Sequence, residues 1–357
     1  MSATAMEKIQ NRGDNSRIMF LEYLRVFAFI AVFLDHKFHA GQSIEITSSN
    51  TLLQAGETIY NSLMALLWNG QAGVVIFFLI SGYIIAARSM VESTSTFAIK
   101  RIFRIYPLFV LCMLVDLFIS HYFNPDQPLP SVADLAVHAT LFGDFFGTNL
   151  SVGGVEWTLR IEIVFYVFAG VLAFAGAHRS KFALSAVLLA ATVGAIVGPR
   201  FPSWSPNTFG YFNQFFPFLM VGMAAYFFEA KRLPIAVLIA VAIMALGMQK
   251  FWSMFTLMVG AFCIMWSASR HITYNRFFAA VASITYSFYL IHDWMYDIVM
   301  FEMSRVTDST VLKAIVSTLV VVALSICATR FIEKPFIKLG NRLCRWKANS
   351  PKLRTSP

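Results

Sequence analysis

The stretch Ile18–Ala40, IMFLEYLRVFAFIAVFLDHKFHA, is long enough to cross a bilayer, yet Glu22, Arg25, Asp35 and His36 lie within or at the edges of its apolar run. An ionised side chain at mid-membrane costs at least ~2.5 kcal/mol, so such residues face a cavity and serve a purpose there. Arg25 and His36 are eleven positions apart. On a helix that is three turns plus about 20°, which puts both on one face roughly 16 Å apart along the axis. The pattern predicts a path with an anion clamp at one level and an acid/base group further out.

The rest of the chain agrees with a membrane setting. Of its 357 residues 58% are hydrophobic, 15% aromatic and only 13% charged, far from a soluble globular composition. Apolar runs near twenty residues recur and are continuous rather than alternating, which predicts an all-α polytopic helix bundle and excludes a β-barrel. The net charge of +9 is no nucleic-acid signal, because many Lys and Arg residues fall in short turns between apolar runs, where they set topology. The four cysteines have no paired spacing that implies a disulfide or a zinc site.

Taken in order, residues 1–16 form a polar N-terminal tail with no signal-peptide pattern. Spans follow at about 18–40, 70–87, 98–122, 157–177, 182–197, 209–228, 234–248, 251–269, 277–300 and 311–331. Asn61–Asn69 is expected as a partly apolar interfacial helix. Val132–Phe146, short and bounded by Pro, Gly and Asn, is expected as a re-entrant or surface element. The basic turns around 88–104, 178–181, 231–232 and 270 alternate with less basic ones, giving about ten full crossings with both termini cytosolic. The membrane unit is placed at 17–340, with a basic tail at 341–357. No self-similar repeat is visible.

Arg101 and Arg104 stand one turn apart on one helix face, a fork suited to phosphate oxygens but equally to lipid headgroups. Trp157-Thr-Leu-Arg160-Ile-Glu162 opens a span with two ionisable groups that cannot face each other, so each must pair elsewhere; Glu162 could orient a histidine or neutralise Arg25. Tyr289 and His292 share a face further along. Ser81, at the end of Gly73-Val-Val-Ile-Phe-Phe-Leu-Ile-Ser-Gly82, has no adjacent base. Asp35, His36 and His39 formally resemble part of a metal cluster, but no further ligands stand at a matching spacing, so no metal is expected.

Six stretches in this order resemble the acyltransferase-3 family of integral membrane O-acyltransferases, over about residues 17–340. Leu21-Glu22-Tyr23-Leu24-Arg25 through His36 is similar to its Leu-Asp-x-Leu-Arg opening with Arg-x10-His. Gly73–Gly82 resembles Gly-Val-x-x-Phe-Phe-x-x-Ser-Gly. Arg101–Pro107 resembles Arg-x-x-Arg-Ile-Tyr-Pro, and Trp157–Tyr166 resembles Trp-Ser-Leu-x-x-Glu-x-x-Phe-Tyr. Ile284–His292 resembles Ile-Ser-Tyr-Ser-x-Tyr-Leu-x-His, and Phe331–Phe336 resembles the closing Phe-Ile-Glu-x-Pro. Three positions depart: Glu22 replaces Asp, Arg160 replaces Ser, and Asp293 follows His292 in place of an aromatic.

The resemblance implies a stand-alone multi-pass enzyme of the cell inner membrane. It would move an acyl group, usually acetyl, from cytosolic acyl-CoA to a hydroxyl of a glycan or lipid-linked saccharide at the outer face. In that scheme Arg101 and Arg104 hold the CoA phosphates and Arg25 positions the pantetheine arm. His36 acts as general base or as acyl carrier, and Glu162 and His292 are candidates to orient it. The partners expected are acyl-CoA, the saccharide acceptor and membrane lipids; the oligomeric state is not legible. The rival reading is a transporter or flippase whose intramembrane charges line a solute path, which would favour paired broken helices in two halves.

Overall fold

A computed structural model describes residues 3–38, 70–126, 128–147, 154–203, 210–247 and 252–349, together with positions 51, 54 and 56. Among them every regular element is helical. In chain order they are α1 (Ala3–Phe38), α2 (Gly70–Ser89), α3 (Thr94–Phe123), α4 (Val132–Ala139), α5 (Trp157–Phe174), α6 (Lys181–Val197), α7 (Tyr211–Glu229), α8 (Ile235–Gly247), α9 (Trp252–Ser267), α10 (Arg276–Met303), α11 (Thr310–Ala328) and α12 (Lys334–Asn349). A π turn over Thr329–Glu333 joins the last two. The helix expected at Asn61–Asn69 and the residue His39 lie outside the described residues.

The helices track the apolar runs closely, with two additions. α1 begins at Ala3, so the polar segment expected as a tail continues the first span as helix. α12 likewise carries helix through the basic stretch to Asn349. The segment after α3 matches its expected brevity: α4 has eight residues, opened by the Ser131 side chain accepting from Asp134 N, and a 3-10 turn follows at Gly143–Phe145. Neither is long enough to cross a bilayer.

α2 is the hub. It is apolar on all sides, and an all-round apolar helix is stable only when surrounded. Its close neighbours are α1, α5, α7 and α9. Two glycines set the tightest approach: a Cβ at Gly82 would lie 2.1 Å from the Leu219 carbonyl oxygen of α7, and one at Gly222 would lie 2.1 Å from the Leu79 carbonyl oxygen of α2. The crossing is thus backbone on backbone in both directions, the packing that small residues permit between membrane helices. Gly73 repeats the device toward α1, where an added Cβ would meet the Ala28 carbonyl oxygen at 2.6 Å. Gly82→Ala or Gly222→Ala must separate α2 from α7, at an overpacking cost of about 1–3 kcal/mol. The expected result is a lowered melting midpoint in detergent; an unchanged midpoint in both variants would contradict the close crossing.

Large apolar side chains cover the outside: Phe118, Val171, Phe174, Phe182, Ile243 and Leu319 are all exposed. Such a surface belongs against lipid. By length and composition four helices among the described residues can cross a membrane: Gly70–Ser89, Thr94–Phe123, Trp157–Phe174 and the composite Thr310–Lys347. Lys181–Val197, Ile235–Gly247 and Phe255–Ser267 are shorter apolar helices. The chain is a membrane protein.

Candidate active site

Polar side chains are strung through the bundle from the Arg88 end of α2 to its Gly70 end. At the Arg88 end a recess of about 250 Å³ is lined by Arg88, Glu92, Lys100, Arg101, Arg104, Ile337 and Asn341. Glu92, on the turn between α2 and α3, sits 2.7 Å from Lys100 Nζ and 4.0 Å from an Arg101 Nη2. Ser93 caps α3 by accepting from Thr96 N, which fixes the phase of the helix carrying both arginines. Arg101 is buried and its guanidinium lies over the rings of Phe97 at 5.3 Å and Tyr166 at 5.8 Å. Its guanidinium is thus turned into the bundle, where snorkelling to headgroups would leave it exposed.

Deeper in, a cavity of about 120 Å³ lies among α1, α2, α3, α5 and α10. Arg25, Arg101, Arg104 and Glu162, four residues singled out in the sequence, all line it, with Ser81, Tyr166, Thr158, Tyr286 and Tyr289. Arg101 and Arg104 are therefore the common wall of recess and cavity. Glu22 and Glu162 hold the negative field around Arg25, against which Arg104 works. Glu162 Oε1 accepts from Ser81 Oγ at 2.6 Å and from Tyr166 OH at 2.5 Å. Its bonds thus go to the cavity wall, on the Arg25 side, rather than to His36. Tyr286 OH donates to the Ile105 carbonyl oxygen at 2.7 Å, tying α10 to α3 across the cavity.

Tyr289 lines the cavity beside Thr158. Its hydroxyl lies 2.8 Å from Thr158 Oγ1 and 3.0 Å from the Val155 carbonyl oxygen. Thr158 Oγ1, also a lining atom, lies 3.1 Å from the same carbonyl, so the two hydroxyl protons are shared among three contacts, at least one of them going to the carbonyl. His292 lies one turn further along α10, and there α1 and α10 bring His36 and His292 together: His36 Nδ1 stands 3.0 Å from His292 Nε2. His292 Nδ1 is 2.8 Å from the Tyr289 carbonyl oxygen. A carbonyl only accepts, so Nδ1 of His292 carries the proton and its Nε2, in the neutral ring, is an acceptor. His36 Nδ1 must then be the donor, which leaves the lone pair of His36 on Nε2. The order Tyr289 C=O, His292, His36 fixes which nitrogen of His36 is basic. His292 is 1% exposed and the His36 side chain 32%, so the pair is reached through His36. Of the two residues expected to orient His36, the structure brings up His292.

Around this pair the sequence reading missed a charge lock. Lys37 Nζ lies 2.6 Å from Asp293 Oδ1 and 2.8 Å from Asp297 Oδ1, and Asp293 Oδ1 lies 3.8 Å from His36 Nδ1. The extra acid after His292 thus holds Lys37 and faces His36. Among the described residues, the donor atoms gathered at His36 are those of His292 and Asp293, all within 4.8 Å of one another. With Lys37 on the carboxylate and an N–H···N distance between the rings, the geometry is that of a proton-sharing pair.

Arg160 pairs elsewhere, as expected, but with a far richer set. Its guanidinium donates to Asp144 Oδ1 at 2.5 Å, to Glu156 Oε1 at 3.3 Å and to His138 Nδ1 at 3.2 Å. Tyr211 OH donates to the other oxygen of Asp144. All four partners are buried. Burial and the adjacent guanidinium push the His138 imidazole down to about 4, so it stays a neutral acceptor. This knot pins the short α4 segment to α5, beside the Thr158 end of the cavity. Arg160→Met would leave Asp144 and Glu156 buried without their cation, a loss of about 3–5 kcal/mol. The expected readout is a strongly lowered melting midpoint, with Asp144→Asn milder; wild-type stability in Arg160→Met would remove the knot from the account.

Among known proteins, a family model described as an acyltransferase domain, of the acyltransferase-3 type, matches residues 18–330. An O-acetyl transferase of Shigella phage Sf6 is 30% identical over 115 residues, 29% of this chain and 34% of that relative. The chain thus matches about a third of the length of that relative. No solved structure matches.

Proposed function

This chain belongs to the acyltransferase-3 family of enzymes, and from that premise we propose that it moves an acyl group, acetyl first among candidates, from acyl-CoA to a hydroxyl of a glycan or lipid-linked saccharide. The observation that carries the reading is the placement of Arg101 and Arg104 as the shared wall of a basic recess and an inner cavity, with the His36–His292 pair beyond Tyr289. The CoA phosphates take the recess, where guanidinium groups bind phosphate oxygens bidentately. The pantetheine arm follows the cavity past Arg25 toward Thr158 and Tyr289.

At the thioester, His36 Nε2 takes the proton of the acceptor hydroxyl while its oxygen attacks the acyl carbonyl. The C–S bond breaks, the ester forms, and the proton on His36 passes to the leaving thiolate of CoA. While His36 is charged, its Nδ1–H remains on His292, and the Asp293 carboxylate 3.8 Å away steadies the imidazolium. Lys37, on Asp293, tempers that field. No metal is assigned a part. Basic turns at Arg88–Arg104, His178–Lys181 and Lys231–Arg232, with the C-terminal Lys/Arg cluster, favour about ten crossings of the inner membrane with both termini cytosolic. The recess then faces the cytosolic acyl-CoA pool, and His36 the outer side.

The test is incubation of membranes containing the protein with radiolabelled acetyl-CoA. Alkali-labile label in a saccharide fraction is expected. Solute uptake without acyl transfer would replace this reading with a carrier.

A further inference from the structure

The C-terminal helix α12, KPFIKLGNRLCRWKAN, has three distinct faces. One packs inward: Cys344 is buried with its Sγ 3.9 Å from the Thr96 carbonyl oxygen, and a Cβ at Gly340 would lie 2.8 Å from Phe103 Cβ. A second carries Lys334, Lys338, Arg342 and Arg345, which at 100° per residue fall in a wedge about 80° wide. The third carries Phe336, Leu339, Leu343 and Trp346, spaced three, four and three apart on one stripe, with exposures of 39%, 42%, 40% and 73%. The stripe borders the basic wedge at Arg342. No acidic residue occurs anywhere in the helix.

An apolar stripe flanked by cations is the pattern of a helix face seated at a bilayer surface. The chain reaches this helix directly from α11, part of a membrane-crossing candidate, through the π turn at Thr329–Glu333. The apolar run ends with α11 and the cations begin at Arg330 and Lys334, so the stripe follows directly on the apolar part of that candidate span, where lipid is the neighbour at highest local concentration. We infer that this face of α12 is a docking surface for anionic phospholipid, the acyl chain lying on Leu339, Leu343 and Trp346 and the headgroup on Lys338, Arg342 and Arg345. A zwitterionic headgroup carries no net charge to match such a wedge. This inference is independent of the proposed reaction.

The experiment uses the full chain in nanodiscs and reads Trp346, taken as the difference in fluorescence between wild type and Trp346→Phe because the chain has seven tryptophans. Lipids brominated in the acyl chain quench a tryptophan they touch. At equal mole fraction in a mixed bilayer, brominated phosphatidylglycerol should quench Trp346 several-fold more than brominated phosphatidylcholine. Each basic residue near an anionic surface is worth about fivefold in association, so Lys338→Gln with Arg342→Gln and Arg345→Gln should abolish the preference. Arg342→Lys with Arg345→Lys, which keeps the charge, should retain most of it. Equal quenching by both lipids, no quenching by either, or a preference that survives the triple neutralisation would each overturn the inference. No quenching by either would leave an acidic protein partner as the better occupant.

Discussion

His36→Ala should lower acyl transfer by 10²–10⁴-fold, the range a positioned general base supplies. The loss should fall on turnover, with melting midpoint and donor binding near wild type, because His36 is the exposed member of the pair and lines neither the recess nor the cavity. His292→Ala should act in the same direction but less severely. It removes the acceptor that keeps the His36 proton on Nδ1, so His36 then spends part of its time in the tautomer whose Nε2 is protonated and unable to act as base. Initial rates of label transfer separate the two. Wild-type rates in His36→Ala would take the imidazole out of the chemistry and leave the cavity as a binding device only.

The second large effect is on the donor. Arg101→Ala combined with Arg104→Ala should weaken acetyl-CoA binding by about 10²–10⁴-fold, since hydrogen bonds to charged groups contribute about 1.5–3 kcal/mol each. Equilibrium dialysis on the purified protein reads this directly, and an unchanged dissociation constant would count against the clamp. Arg101→Lys sharpens the test. It keeps the charge but loses the planar fork and the stacking on Phe97 and Tyr166, so it should bind more weakly than wild type. A purely electrostatic anchor to headgroups would tolerate that exchange.

The sequence made the helices legible because a bilayer demands near-continuous apolar runs, and apart from the first helix, which begins at Ala3, each run became a helix within a few residues of its expected ends. It also named four lining residues of the cavity, since an ionised group inside such a run has few reasons to be there. What it could not give was the rotation of one helix against another. His36 and His292 are separated by 256 positions, and no local periodicity foretells that Nδ1 of one meets Nε2 of the other. The same holds for Glu162: its position two residues from Arg160 forbids a mutual pair, but whether it turns to Ser81, to Arg25 or to a histidine depends on the seating of α5 against α2. That seating rests in part on the reciprocal glycine crossing of α2 with α7, and Gly82 and Gly222 stand 140 positions apart. Arg160 was legible as an ion-pair donor, yet its partners Asp144 and His138 lie in the one segment too short and irregular to place by pattern. Lys37, beside His36 in the chain, has no motif of its own, and only the fold reveals it as the partner of Asp293.

The central claim is spatial: a CoA thioester enters past two arginines and stops where a histidine pair can serve it. A density map of the protein with an acetyl-CoA analogue whose sulfur is replaced by methylene tests it most directly. The account predicts phosphates on Arg101 and Arg104, the arm beside Arg25, and the acyl carbon between Tyr289 and His36. A map in which Arg25 and His36 turn toward lipid, or in which the analogue binds without reaching the cavity, would contradict it.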